Sequence, residues 1–185
     1  MRALIRTYPD AILRSRGNAF ETLLRAIVGQ QISLKAADAV WARLGALTPI
    51  RAEAVSELAP DRLRGCGLSR MKAEYCRDLA GHFVAGRIRP RRWARIDDEA
   101  IITELIDVRG IGRWTAEMFL IFHLLRPNVW PVDDLGLLKA LSQHYAAGEK
   151  ITPRRATEMG EAWQPWRTVA TWYLWRSLDP VPVEY

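Results

Sequence analysis

Cysteine is nearly absent: Cys66 and Cys76 are the only two among 185 residues. Two thiols are too few for an iron–sulfur cluster or a four-ligand zinc site. No staple of that kind is needed, because a chain of this length buries roughly 70% of its unfolded surface. Histidine is scarce as well, and His82, His123 and His144 share no metal-ligand spacing, so each is read as structural or superficial. No apolar run reaches bilayer length; the longest, Met118 to Leu125, is interrupted by His123. No charged-then-apolar leader with a small-residue cleavage site opens the chain, so a cytoplasmic location is the default expectation. Sustained period-two alternation, internal repeats and low-complexity tracts are also missing, which argues against a sheet protein or a solenoid.

What remains is helical. Phe20 to Val28 reads as a buried helix closed by Gly29. Ser33 reads as the N-cap of a helix whose apolar face is Leu34, Ala37, Trp41 and Leu44, with Gly45 as its stop. Ser69 caps a third segment with Tyr75, Leu79 and Phe83 on one side. A basic connector, Arg87 to Arg95, follows, and then Asp97 or Asp98 caps a helix presenting Ile101, Ile102, Leu105 and Ile106. Thr152-Pro153 and Gln164-Pro165 each place proline at a helix start. The expected fold is all-α: one unit, residues 1–185, of helix pairs joined by short loops, with a cleft between two lobes.

The net charge is +6 at a pI near 9.7, and arginine dominates lysine among the cations. Arginine suits phosphate because its planar fork donates two hydrogen bonds at once, although a GC-rich coding bias would produce the same excess. The most informative stretch is Val108-Arg109-Gly110-Ile111-Gly112-Arg113-Trp114-Thr115-Ala116, the turn of a helical hairpin expected at about residues 100–125. Gly110 alone could be a helix C-cap. Gly112 is costly at a helix start unless something approaches its backbone closely. Exposed amides and the helix dipole then suit an anionic oxygen, with Arg113 and Thr115 adding donors on the same rim. Such a grip is independent of sequence, since amides read phosphate rather than bases.

An acidic pair, Asp133-Asp134, follows the apolar strap Val129 to Val132, about 20 residues beyond Trp114. One of the two caps the Leu135 to Leu141 helix, and the other is left for chemistry in a partly desolvated setting. Asp134 is assigned to chemistry and Asp133 to capping or support; the residues alone also admit the reverse order. The chain holds eight tryptophans, of which Trp114 and Trp130 precede the acidic pair in sequence. On the last helix Trp166, Val169, Ala170, Tyr173 and Leu174 are expected to form the core face, leaving Trp172 and Trp175 to line a cavity. An aromatic wall of this kind stacks an extruded, electron-poor base. Gln30-Gln31-Ile32-Ser33, between two helices, reads either as an ordinary turn or as a plug entering a duplex where a base has left the stack.

Four blocks carry a resemblance: Ala26-Ile27-Val28-Gly29-Gln30-Gln31-Ile32-Ser33, Gly110-Ile111-Gly112-Arg113-Trp114-Thr115-Ala116, Pro131-Val132-Asp133-Asp134-Leu135 and Trp163-Gln164-Pro165-Trp166-Arg167. In order and spacing, over roughly residues 18 to 178, they resemble the 3-methyladenine DNA glycosylase II family of the helix-hairpin-helix glycosylase superfamily. The resemblance implies a monofunctional glycosylase acting as a monomer on double-stranded DNA that contains damaged bases, in a nucleoid or a nucleus. It also implies that no cofactor is required beyond, at most, a monovalent cation on the hairpin carbonyls. Asp134 matches the catalytic aspartate, Trp114 and Trp175 match pocket aromatics, and Gly110 and Gly112 match the phosphate-holding glycines.

Several positions depart from the family's best-known bacterial form. Met118 replaces an aromatic pocket residue, and with Trp130 and Trp175 it would set lesion preference. Gln31 replaces an apolar wedge, leaving that role to Gln31 or Ile32. Trp114 occupies the position where bifunctional relatives carry a nucleophilic lysine, which argues against lyase activity. That form's extra N-terminal α+β domain is not expected here. The rival reading from another class is a noncatalytic helix-hairpin-helix module, which needs the glycines but neither the acid nor the aromatic cavity.

Overall fold

The computed structural model describes residues 1–9, 12–15 and 17–179. Among them the secondary structure is helical throughout, with no strand. In chain order the α-helices are α1 (Arg2–Thr7), α2 (Ala19–Gly29), α3 (Leu34–Leu47), α4 (Ala52–Ser56), α5 (Pro60–Gly65) and α6 (Arg70–Val84). They continue with α7 (Pro90–Trp93), α8 (Asp98–Ile106), α9 (Arg113–Phe122), α10 (Leu135–Tyr145), α11 (Pro153–Gly160) and α12 (Arg167–Leu178). The chain divides into two compact units, Arg16–Phe119 and Met1–Ser15 with Leu120–Tyr185.

In the first unit α6 is the central helix, packed by α2, α4 and α5. Leu79 of α6, Leu23, Leu24 and Ile27 of α2, Leu63 of α5 and Leu105 of α8 are fully buried in this unit. The expected caps are present because each is a local event: Ser33 accepts from Ala36 N, Ser69 from Lys72 N and Asp97 from Ala100 N. Gly45 does not stop α3, which continues to Leu47. Its buried face is Ala37, Val40 and Leu44, and Leu34 stays 70% exposed at the first turn. The basic connector contains the short α7, whose Trp93 is buried edge-on against Phe119. Cys66 and Cys76 are buried free thiols, and burial pushes Cys76 up to about 12.

The second unit is built on α10 and α12, with α1 against α12 and α11 against α10. Trp130, Leu137, Leu141, Ile151, Ala170 and Leu174 form its core. The face of α12 differs from the expected one. Trp166 is 61% exposed and Val169 is also exposed, and the buried positions are Thr168, Ala170, Thr171, Tyr173 and Leu174. The face turns because Thr168 points inward to tie down the strap before α10. Its hydroxyl donates to Arg126 O and accepts from Val129 N, and its own N–H donates to Pro127 O.

Candidate nucleic-acid interface and carboxylate site

The hairpin lies in the first unit. α8 ends at Ile106, so Gly110 is not its cap; it sits in the turn at φ +86, where an added Cβ would lie 2.2 Å from the Tyr75 ring. Backbone conformation and ring contact both require glycine there. Gly112 is different. A Cβ at Gly112 would meet no protein atom within 4 Å, and its carbonyl accepts from Ala116 N as α9 begins. Gly112 therefore borders open space, and its backbone can be approached from outside without meeting a side chain. The first-turn amides of α9 point outward as at any helix N-terminus.

The turn is held by a row of side chains from α6. Asp78 accepts from Arg109 N at 2.8 Å, Glu74 pairs with the Arg109 guanidinium at 3.2 Å, and buried His82 bonds Asp107 at 3.0 Å. From the other side, Gln30 donates to Gly110 O at 2.8 Å. Sequence reading missed Asp78 and the role of His82. Their step of four along one helix was the available signal, but nothing local points it at the hairpin.

Two of the residues expected to contact DNA, Gln30 and Arg113, have partners within the protein. The Gln30 amide braces the hairpin, and its backbone carbonyl accepts from Lys72 at 2.6 Å. Burial lowers the Lys72 amine below its ordinary value. The Arg113 guanidinium is engaged within the protein by Glu99 through both terminal nitrogens and by buried Glu117 at 3.1 Å. Hydrogen bonding from Arg113 holds the Glu99 carboxyl below its usual range. Ser33 serves as the cap of α3, and Thr115 is half-buried in the first turn of α9. Gln31 and Ile32 remain exposed, with Gln31 in the left-handed region at φ +55.

The acidic pair belongs to the second unit, and the division of labour expected for it is corrected. Asp133 is exposed and is not the cap. Asp134 is half-buried and caps α10 itself: its Oδ1 accepts from Leu137 N at 2.6 Å. The same oxygen accepts from Trp175 Nε1 at 2.7 Å. A carboxylate fixed by two N–H donors is an oriented anion rather than a swinging base. Trp175 stacks on Phe122 with ring centroids 5.8 Å apart and planes 11° apart. Phe122 was missed, although it stands one helical step beyond Met118 on α9.

The other expected pocket residues are described in their own units. Trp114, 41% exposed, and buried Met118 lie on α9 in the hairpin's unit. Trp130 is a core residue rather than an open wall. Its indole donates to Ala156 O at 2.8 Å and leaves no room for a side chain at Gly160, where a Cβ would come within 2.4 Å. Trp172 is packed edge-on against Tyr173 and under the Arg176 guanidinium. No group of His, Cys, Asp and Glu arranged for a metal occurs among the described residues.

Residues 24–166 match the family model described as HhH-GPD superfamily base excision DNA repair protein, and the chain belongs to that superfamily. It is similar to DNA-3-methyladenine glycosylase 1 of Schizosaccharomyces pombe, 33% identical over 85% of this chain and 72% of that one. Of two Bacillus subtilis relatives it spans 60% and 57% of the length. Among solved structures, a DNA-3-methyladenine glycosidase from Bacillus halodurans superposes with a TM-score of 0.87 at 34% identity, over 91% of this chain and 79% of that one. The S. pombe 3-methyladenine DNA glycosylase in complex with abasic DNA gives a TM-score of 0.78 at 29% identity, over 100% and 92%.

Proposed function

We propose that the chain is a monofunctional DNA glycosylase of the 3-methyladenine type II kind, releasing alkylated purines such as 3-methyladenine and 7-methylguanine from double-stranded DNA. The observation that carries this reading is the Asp134 carboxylate, clamped by Leu137 N–H and the Trp175 indole beside a stacked aromatic pair. Methylation at N3 or N7 leaves the purine cationic and ready to depart. As the C1′–N9 bond breaks, its electron pair neutralises the purine, and positive charge builds on the deoxyribose. The fixed Asp134 anion opposes that charge. Water then adds at C1′, its proton passes to solvent, and an abasic site remains. No strong general acid is needed, since the leaving group is already charged.

The amides at the start of α9 would grip a backbone phosphate, and Gln31 or Ile32 would fill the gap left in the duplex. Carbonyl oxygens of the turn are a donor set suited to a monovalent cation, with the Gly110 oxygen sharing its lone pairs with Gln30. Such an ion would add positive field at the phosphate grip. Trp114 offers no amine for a Schiff base, so strand cleavage is not expected. Work as a monomer wherever the genome resides fits this chemistry.

Mass spectrometry of bases released from methylated and unmethylated duplex DNA tests the reading. Release of methylpurines with no borohydride-trapped adduct supports it. DNA binding without base release would make the protein a noncatalytic DNA-binding module instead.

A further inference from the structure

Gly136 stands at the second position of α10, where glycine costs about 1 kcal/mol relative to alanine. Its backbone is helical, so no left-handed conformation accounts for it. What does account for it is space. A Cβ at Gly136 would lie 3.1 Å from Asp134 Oδ1, 3.1 Å from Trp175 Cδ1 and 3.2 Å from Trp175 Nε1. Those atoms include both ends of the indole–carboxylate hydrogen bond, made at 2.7 Å.

We propose that Gly136 is a positioning residue of the reaction: its bare backbone is the surface on which the Trp175 indole rests while holding Asp134 in place. The inference builds on Asp134 as the catalytic anion. Of the groups around a new methyl, the carboxylate cannot retreat freely, because the same Oδ1 is bound to Leu137 N–H at 2.6 Å in the cap. The indole, which also stacks on Phe122, is the part that yields. A side chain at 136 therefore pushes the indole off the carboxylate by a few tenths of an ångström, and the hydrogen bond by which the indole orients Asp134 weakens. Reactions that depend on oriented charge are sensitive to shifts of this size.

The test is Gly136→Ala in the full chain. Alanine favours the helix by about 1 kcal/mol while its methyl crowds the indole, so the two effects on stability oppose each other and activity is the readout. The expected result is a loss of about tenfold in kcat for methylpurine release. KM should stay within about twofold, because the hairpin grip is untouched. In 15N-tryptophan spectra the Trp175 indole N–H resonance, assigned through Trp175→Phe, should move upfield as its hydrogen bond weakens. On a Trp175→Phe background, which has no indole N–H, the same substitution should change kcat by less than about twofold.

An unmoved resonance, a moved resonance with wild-type kcat, or an undiminished tenfold loss on the Phe background would each overturn the proposal. Should Gly136→Ala fail to fold, refolding of the Gly136→Ala/Trp175→Phe double variant, whose smaller ring makes room, supports it, and failure of that variant overturns it. If Asp134→Asn keeps full activity, the reading of Asp134 falls instead, while the indole resonance still reports on Gly136.

Discussion

Replacing Asp134 by Asn removes a charge while keeping the shape. Asparagine is as good an N-cap as aspartate, and its carbonyl oxygen can still accept from Leu137 N–H and the Trp175 indole. The fold should therefore lose no more than about 1 kcal/mol. The reaction should lose far more. A unit charge about 4 Å from a developing cation, in a half-buried site with an effective dielectric near 20, is worth about 4 kcal/mol. At about 1.4 kcal/mol per decade this corresponds to roughly a thousandfold in rate. Single-turnover release of 3-methyladenine, followed by chromatography, measures it directly, and duplex affinity should be unchanged. Asp133→Asn, at an exposed position, should slow release by less than about twofold. If Asp134→Asn stays within about threefold of wild type, or if Asp133→Asn causes the greater loss, the electrostatic reasoning is wrong.

The two hairpin glycines should part company. Gly110→Ala meets both a positive φ and the Tyr75 ring and should cost about 3 kcal/mol, read as a fall in melting temperature, whereas Gly112→Ala, which meets no protein atom, should melt no lower but bind duplex about tenfold more weakly under the proposed phosphate grip. Arg113→Ala should leave the slope of log affinity against log salt unchanged, since its fork is held by Glu99 and Glu117; a slope smaller by about one would make it a phosphate ligand after all. Glu99 is held below its usual pKa, so the stability from its pair with Arg113 is present above the unfolded value and is lost as pH falls through the lower folded one. Glu99→Gln should flatten acid melting curves in that window, and only slightly, because the pair is largely exposed. Cys76, buried with its pKa pushed up to about 12, should resist alkylation by iodoacetamide in the native protein at pH 8, and rapid labelling without unfolding would contradict the packing around it.

Features legible along the chain were those whose physics is local. Ser33, Ser69 and Asp97 cap helices because a short side-chain oxygen reaches an amide three residues on, and Pro153 opens a helix for an equally local reason. The oddity of Gly112 was legible too, since a helix-starting glycine is a statement about backbone alone. Where a side chain had a choice of partners, reading along the chain went astray. Arg113 was read only as a donor on the hairpin rim, and its pairing with Glu99 on the preceding helix was not seen. Asp134 was separated from the cap that it fills. Trp166 was placed inside and Trp130 on a wall, yet the first is exposed and the second is core.

The all-helical class, the hairpin and the acidic pair were settled by neighbours within one or two turns, because helix periodicity, capping and glycine conformation act over that range. Folding alone decided which oxygen of Asp134 meets the Trp175 indole, why position 136 has no side chain, and how Asp78 and His82 clasp the turn. Those partners lie tens of residues apart. They meet only when apolar burial has fixed the helices, and a hydrogen bond or close contact is then decided by a few tenths of an ångström that no local pattern encodes.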